Sequence, residues 1–485
     1  MRLSDLSDGA VGGAAGEVEI DGLSVDSRRV RRGDLFAAIS GTRLDGFDFI
    51  AEALAKGAAA VLAAPDPRLE AISVPVIQDA EPRRRLARMA ARFFARQPAT
   101  VAAVTGTNGK TSVVNFTAQI WSGLGHSAAS LGTLGVIAGK ATEPLAHTTP
   151  EPIALHRHLA ELAAGGVECL ALEASSHGLD QHRLDAVEVT AAAFTNIGWD
   201  HLDYHADADD YLAAKLRLFG AVMADGGTAV LNADSDVFDR LQTVCQRHRH
   251  EIVSYGTAGS EVRLRGLSDD RAGQRLALEV FGIRSEIVLP LRGAFQAMNA
   301  LCALGLVIAT GSEAEAAMGQ LERLKGVPGR LDLVAYHGSG APVYVDYSHK
   351  PDALENALRA LRPAAAGRLV LVFGCGGDRD RGKRPEMGRI GARLADRVVV
   401  TDDNPRSEAP ARIRAEILAG CPDAIEIGDR AEAIRAGLDG LEAEDLLIIA
   451  GKGHESGQYV GDEVLPFDDT AEARAAAQEC GGRAA

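Results

Sequence analysis

The chain has 485 residues, with 51 lysines and arginines against 67 acidic residues, a formal net charge of −16 with histidine neutral. A hydrophobic fraction of 46% and a charged fraction of 24% exclude global disorder, and at ~150 residues per domain the length suits about three domains. The acidic balance excludes the broad basic face that duplex binding needs, so no nucleic-acid partner is expected, and any anionic ligand must be met by local positive charge.

The opening Met1-Arg2-Leu3-Ser4-Asp5 carries no apolar core of a signal peptide, and no uncharged apolar run reaches ~18 residues. A cytoplasmic protein with no membrane span is therefore expected. Residues 1–95 read as a small α/β unit. Apolar runs at Leu35–Ile39, Ala59–Ala63 and Val74–Ile77 suit strands, Phe47–Lys56 has helical spacing, and Arg83–Gln97 reads as a solvated amphipathic helix.

A longer α/β region follows over 96–330. Strands are expected at Thr100–Val104, Cys169–Leu172, Ala191–Thr195 and Thr228–Leu231, an antiparallel insertion over Glu261–Leu291, and a helix at Ala294–Ile308. Lys325–Arg330, with Gly326, Pro328 and Gly329, reads as a linker. Residues 331–485 form a third α/β region with strands at Val343–Asp346, Leu369–Phe373, Val398–Thr401 and Leu446–Ile449. The Ala- and Gly-rich tail after Ala471 is expected to fray. The six cysteines are scattered without a C-x-x-C pair, which excludes a zinc ribbon or disulfide framework.

Polar, Gly-rich segments repeatedly follow the apolar runs, and open parallel sheets bind ligands beyond the carboxyl ends of their strands. The first such segment is Thr105-Gly106-Thr107-Asn108-Gly109-Lys110-Thr111-Ser112, between a strand and a helix. Its glycines let amides turn toward phosphate oxygens, and the helix N-terminus adds positive potential. Lys110 can neutralise terminal phosphates, and the Thr111 hydroxyl can reach magnesium. The generic phosphate loop would have glycine where Val104 stands.

Glu173 closes the run Cys169–Leu172 and is placed to hold Mg²⁺ directly or through water. His201 and His205 have the i, i+4 spacing of a zinc-protease helix, but Leu202 stands where that motif needs glutamate, so a zinc hydrolase is excluded. On pattern alone Lys215 is a helix-surface lysine.

Together these residues resemble the Mur ligase family of peptidoglycan synthesis. The phosphate loop, Glu-Ala-Ser-Ser-His-Gly-Leu, Asp-His-Leu-Asp-Tyr-His and Ala-Ala-Lys occur in the family's order, followed by Gln296–Ala300, Pro328–Arg330 and Asp346–His349. The resemblance implies three domains, 1–95 for the UDP-substrate, 96–330 a central phosphate-loop ATP-binding domain with a mostly parallel sheet, and 331–485 a Rossmann-like amino-acid domain. The segments Gly376–Asp380, Asp403-Asn404-Pro405-Arg406 and Gly451–Glu455 match the members that add diaminopimelate to a UDP-N-acetylmuramoyl-dipeptide.

The resemblance further implies ATP contacts at Gly106, Thr107, Asn108, Gly109, Lys110, Thr111, Asn299, Arg330 and Asp346. It puts the UDP-substrate at Val25, Ser27, Thr42, Arg43, Leu44, Thr148, Thr149, Ser175, Gln181 and Arg183. It puts the amino acid at Arg379, Asp403, Asn404, Pro405, Arg406, Gly451 and Glu455. Catalysis would rest on Lys110, Glu173, His201 and Lys215, with Mg²⁺ held by Thr111, Glu173, His201 and an N-carboxylated Lys215. Arg379 and Arg406 can pair with the distal carboxylate of diaminopimelate, and Glu455 can accept from its ammonium. At Ser348 and Lys350 many relatives carry Ala and Thr. The expected enzyme is a monomer whose third domain closes on its partners. Alternatives are an L-lysine-adding sister ligase, a folylpolyglutamate synthetase-like enzyme or, in another class, an ATP-hydrolysing regulatory binder.

Overall fold

In the computed structural model, which describes residues 1–41, 44–198, 204–270 and 272–485, the apolar runs become the strands of parallel or mostly parallel sheets. The chain groups into two compact units. The first is Met1–Leu264 with Glu279–Ile283 and Asn299–Gln320, and the second is Arg265–Leu278 with Arg284–Met298 and Leu321–Ala485.

In the first unit, β1 (Gly22–Ser24), β2 (Asp34–Ala38), β3 (Ala60–Ala63) and β4 (Val76–Gln78) pair in parallel in chain order. The expected boundary near residue 95 falls inside this unit. The helix Pro82–Phe94 buries Leu86 and Met89 in the core of the small sheet, and Ile153, from the helix Pro152–Ala164 of the next region, packs on that same core.

The large sheet contains β5 (Thr100–Thr105), β6 (Ala128–Gly132), β7 (Gly135–Ala138), β8 (Ala141–Glu143), β9 (Cys169–Glu173), β10 (Ala191–Phe194), β11 (Thr228–Asn232), β12 (Glu251–Gly256), β13 (Val262–Asp270), β14 (Gly273–Val280) and β15 (Ile283–Leu289). Their order is β15-β14-β13-β12-β11-β10-β5-β9-β6-β7-β8. Central strands read as unbroken apolar runs because both faces are covered. Val101 to Val104, Leu170 to Leu172 and Ala191 to Phe194 are all fully buried. From β5 the chain crosses to β6 on one side, and from β9 it crosses back to β10 on the other. The end of β5 is thus the point where strand order reverses and ligands bind.

The second unit holds β16 (Asp332–Tyr336), β17 (Pro342–Asp346), β18 (Leu369–Phe373), β19 (Arg397–Val400), β20 (Ile425–Glu426) and β21 (Leu446–Ala450), the hairpin β22 (Gly457–Val460) and β23 (Glu463–Pro466), and β24 (Arg483–Ala484). The sheet order is β20-β19-β18-β21-β17-β16-β24, parallel except where β16 meets β17 and β24. The loops after β17, β18, β19 and β21 therefore leave the same end of the sheet.

The tail departs from expectation. Asp468 caps the helix Asp469–Glu479, and β24 then adds an antiparallel edge through Ala335↔Ala484 and Tyr336↔Arg483, with Ala485 donating its N–H to Val334. A short strand satisfies the tail's backbone groups where composition alone suggested fraying. Of the cysteines, five are buried and Cys480 is exposed.

His156, on the helix Pro152–Ala164, is pushed down to about 4 by burial, and its Nε2 has no hydrogen-bond partner among the described residues. Because its folded value lies below the unfolded value of 6.5, its contribution is complete above that pH and is lost as pH falls toward about 4. Unfolding midpoints measured across that interval should fall on acidification. His156→Leu should reduce the proton uptake on unfolding by up to about one proton, and an unchanged slope would contradict this.

Candidate active site

The phosphate loop begins where β5 ends and closes at Gly109, whose φ of 87° caps the helix Lys110–Gly123. Neighbouring strands supply its walls. The register Val104↔Glu173 brings the Glu173 carboxylate to one side of the loop, and Thr105↔Phe194 brings Thr195 and Asn196 to the other. Asn196 accepts the Asn108 N–H at 2.9 Å and donates its Nδ2 to the Asn108 carbonyl at 3.1 Å. Thr195 Oγ1 donates to that carbonyl at 2.6 Å, and the Thr107 N–H donates to the Asn196 carbonyl. A side-chain amide and a hydroxyl thus take up part of the loop's backbone groups and hold its shape.

Two ammonium groups converge beneath it. Lys110 Nζ donates to the carbonyls of Gly106 and Thr107, each at 2.9 Å, and Lys215 Nζ donates to Gly106 at 2.8 Å. Lys215 is 1% exposed and lies 4.2 Å from the centre of the Tyr211 ring, whose hydroxyl hydrogen-bonds Thr107 Oγ1 at 3.1 Å. The helix-surface reading of Lys215 is therefore overturned. Tyr211, Leu212, Ala214 and Lys215 share the buried face of the helix Ala208–Arg217.

Glu173 is 1% exposed, and its oxygens accept from Thr133 N–H at 2.8 Å and Thr133 Oγ1 at 3.2 Å. Thr133 Oγ1 also meets Thr148 Oγ1 at 3.1 Å, and Thr149 Oγ1 donates to the Glu173 carbonyl. Arg183 donates to the Thr149 carbonyl at 2.8 Å and to Gln181 Oε1 at 2.7 Å, and pairs with Glu151 at 2.7 Å. Ser175 caps the short helix Ser176–Asp180. Tyr204 links Gln181 Nε2 at 3.1 Å to Asp180 Oδ2 at 2.6 Å. One continuous polar chain thus joins Glu173 to Thr148, Thr149, Gln181 and Arg183. The buried His158 imidazole lies 3.4 and 3.7 Å from the exposed carboxylates of Glu161 and Glu143, contacts that join β8 to the helix Pro152–Ala164.

Asn299 sits against the loop, since a Cβ at Gly109 would collide with its Oδ1. In the small sheet, Val25 and Leu44 are exposed, while Ser27 Oγ donates to Glu52 at 2.6 Å. Thr42, Arg43 and His201 lie outside the described residues.

In the second unit, Arg330 and Asp346 meet at the end of β17. Asp346 accepts from Leu331 N–H at 2.6 Å and from the Ser348 hydroxyl, and the Arg330 guanidinium lies 4.5 Å from the Tyr347 ring centre. Burial raises the Asp346 carboxyl. Burial and the Arg330 charge push His454 down to about 4, so its imidazole is neutral near pH 7. The linker is tied down here, with Tyr347 N–H donating to Gly329 and Gln296 to the Arg330 carbonyl.

The loops after β18, β19 and β21 are hydrogen-bonded to one another. Arg406 holds a φ of 50°, and its Nη1 donates to the Gly377 carbonyl at 2.7 Å. Asn404 donates to Glu455 Oε2 at 2.9 Å, and a Cβ on Gly451 would crowd Asp403 Oδ2. Pro405 backs onto Gly377. Arg379 is exposed on the same loop as Gly377.

Comparison with known proteins decides the lineage. Family models match at 19–94 (Mur ligase family, catalytic domain), 104–307 (Mur ligase middle domain) and 329–453 (Mur ligase, glutamate ligase domain). The chain is 51% identical over 483 residues to a UDP-N-acetylmuramoyl-L-alanyl-D-glutamate–2,6-diaminopimelate ligase of Rhizobium meliloti, covering 98% of this chain and 99% of that protein. It is 53% identical over 475 residues to the ligase of the same name from Bradyrhizobium diazoefficiens, covering 97% of each. A solved structure of a ligase so named matches with a TM-score of 0.75 at 31% identity, over 99% of both chains.

The chain belongs to the Mur ligase family. It is an ATP-dependent, amide-forming enzyme of α/β fold, as its motifs implied. In this Mur ligase, the phosphate loop, Glu173, Lys215, Thr148, Thr149 and Arg183 gather in the first unit, and Asn404, Arg406 and Glu455 in the second. The roles of Asn196, Thr195 and Tyr211 around the loop were not anticipated. The Thr-Asn pair directly after an apolar run was the available signal, but it needs the β5–β10 pairing to acquire meaning. Gly109→Ala should distort the loop, because it places a Cβ at positive φ and against Asn299. A loss of about 1–3 kcal/mol in stability is expected by urea denaturation, and wild-type stability would contradict the geometry.

Proposed function

We propose that this ligase uses ATP to join meso-diaminopimelate to the D-glutamate side-chain carboxylate of UDP-N-acetylmuramoyl-L-alanyl-D-glutamate, in peptidoglycan precursor synthesis. We place it in the cytoplasm as a monomer, with residues 1–95, 96–330 and 331–485 serving the UDP-substrate, ATP and amino acid. The observation that carries this reading is that Asn404 ties Glu455 to the loop that bears Arg406, in a chain about half identical along its whole length to ligases of that name. Diaminopimelate has a carboxylate and an ammonium at its distal centre, and these joined loops offer a guanidinium and a carboxylate to match. Lysine would leave the guanidinium without its anion.

The substrate carboxylate attacks the γ-phosphorus of ATP, ADP leaves, and an acyl phosphate forms. The amine of diaminopimelate then attacks the acyl carbon, the amide forms, and inorganic phosphate departs. Catalysis of the first step is charge neutralisation and positioning. Lys110 would turn from the Gly106 and Thr107 carbonyls to the phosphates, while loop amides and the helix N-terminus hold them. Thr148, Thr149, Ser175, Gln181 and Arg183 would hold the muramoyl-dipeptide, with Val25, Ser27, Thr42, Arg43 and Leu44 at its nucleotide. Asn299, Arg330 and Asp346 would complete the ATP contacts.

The donor set fits Mg²⁺ in chemistry: Glu173 is a buried carboxylate and Thr111 a buried hydroxyl. Lys215 fits only as its N-carboxylate, because an ammonium has no lone pair to offer. His201 would complete the set. When bound, the ion would offset charge building on the transferred phosphoryl group.

The direct test is to incubate the enzyme with ATP, Mg²⁺, the UDP-muramoyl-dipeptide and either diaminopimelate or lysine, then weigh the product. A mass gain of one diaminopimelate residue is expected, and gain with lysine alone would overturn the reading. Arg406→Ala should raise the diaminopimelate KM by ~10-fold or more while leaving that of ATP near wild type, and parallel changes in both would contradict the assignment.

A further inference from the structure

Lys452 is fully buried, yet it carries a charge the reaction above does not use. Its Nζ donates to Asn404 Oδ1 at 2.8 Å and lies 3.6 Å from Glu455 Oε2. Asn404 Oδ1 also accepts the Tyr459 backbone N–H at 3.1 Å. Two donors, one of them an ammonium with no acceptor capacity, thus meet the same amide oxygen. The amide can be placed only one way round: Oδ1 toward Lys452 and Tyr459, and Nδ2 toward Glu455, which it reaches at 2.9 Å. The other edge of Glu455 meets the Tyr347 hydroxyl at 3.4 Å. Its carboxylate is therefore gripped from two sides, and its side chain keeps 30% of its surface exposed.

We propose that Lys452 is a positioning residue for amino-acid selection: it fixes the orientation of the Asn404 amide and, through it, aims the Glu455 carboxylate at the substrate's distal ammonium. Lys452 itself touches no substrate. Its ammonium is compensated within the same wall of the unit. Asp403 and Glu455 lie near it, while the buried Arg430 is neutralised by Asp469 at 2.7 and 2.8 Å. The hairpin β22–β23 supplies the second donor and is docked on the same loop. Arg406 N–H donates to the Tyr459 carbonyl at 2.9 Å, Gly461 N–H to the Arg406 carbonyl at 2.7 Å, and Gln458 Nε2 to the Asp403 carbonyl at 2.7 Å. One buried cation and one hairpin thus hold the two charged groups, Glu455 for ammonium and Arg406 for carboxylate.

This inference rests on the diaminopimelate reading, and steady-state kinetics on the full chain separates the two. Lys452→Met keeps side-chain length but removes the donor. It should raise the diaminopimelate KM about tenfold or more while the KM values of ATP and the UDP-substrate stay within about twofold. Asn404→Asp keeps the shape of Asn404 but cannot donate to Glu455, and it should give the same selective rise. That second variant keeps the test alive if the methionine variant fails to fold. An unchanged diaminopimelate KM in either folded variant, or equal rises for all three substrates, would overturn the positioning role. If the wild-type enzyme does not consume diaminopimelate at all, the functional reading itself fails.

Discussion

Parallel strands release the chain at one end of a sheet with N–H and C=O groups still unpaired, and the candidate sites of this ligase are built from how those groups are met. At the end of β5 the flanking strands provide the partners. Asn196 and Thr195 on the β10 side hold the phosphate loop, and Glu173 stands at the end of β9. The loop's conformation is consequently set by strand order as much as by its own glycines. Lys110, donating to two carbonyls of the loop, supplies local positive charge for an anionic nucleotide in an otherwise acidic chain.

The second unit solves a different problem with the same geometry. Its loops after β18, β19 and β21 carry opposite charges at one end of the sheet, and each charge has to be held in place. Arg406 is anchored to the Gly377 carbonyl and to the hairpin backbone, and Glu455 to Asn404, so each charged group is engaged before any ligand arrives. Arg384 reinforces this from below. It is fully buried and pairs with Glu408 and Glu416 at 2.7 Å each, and Glu408 accepts the Asp378 N–H. Pre-orientation of this kind lowers the ordering cost of binding and favours a ligand whose charges match the fixed pattern.

Much of this was legible before any coordinates. Apolar runs bounded by Gly-rich segments located the central strands to within about two residues, and the lysine-bearing turn after β5 declared a phosphate site through chemistry alone. The loops Asp403–Arg406 and Gly451–Glu455 carried the right donors and acceptors for a zwitterionic ligand. Local pattern misjudged Lys215, because helical spacing reports which residues share a face but not whether a neighbouring loop covers that face. It misjudged the tail for the same reason: whether Arg483 and Ala484 form a strand depends on the open edge of β16.

Residue chemistry and short-range spacing thus settled the kind of ligand each segment can meet, because a glycine turn, a lysine and a carboxylate have properties that do not depend on distant neighbours. Which residues share a site was settled by strand order and register, since Glu173 and Asn196 lie 69 and 88 positions from Val104 and Asn108 and become neighbours only through β9 and β10. The direction in which the Asn404 amide points belongs to that second class. It follows from a buried ammonium 48 residues away, a contact that no local periodicity encodes.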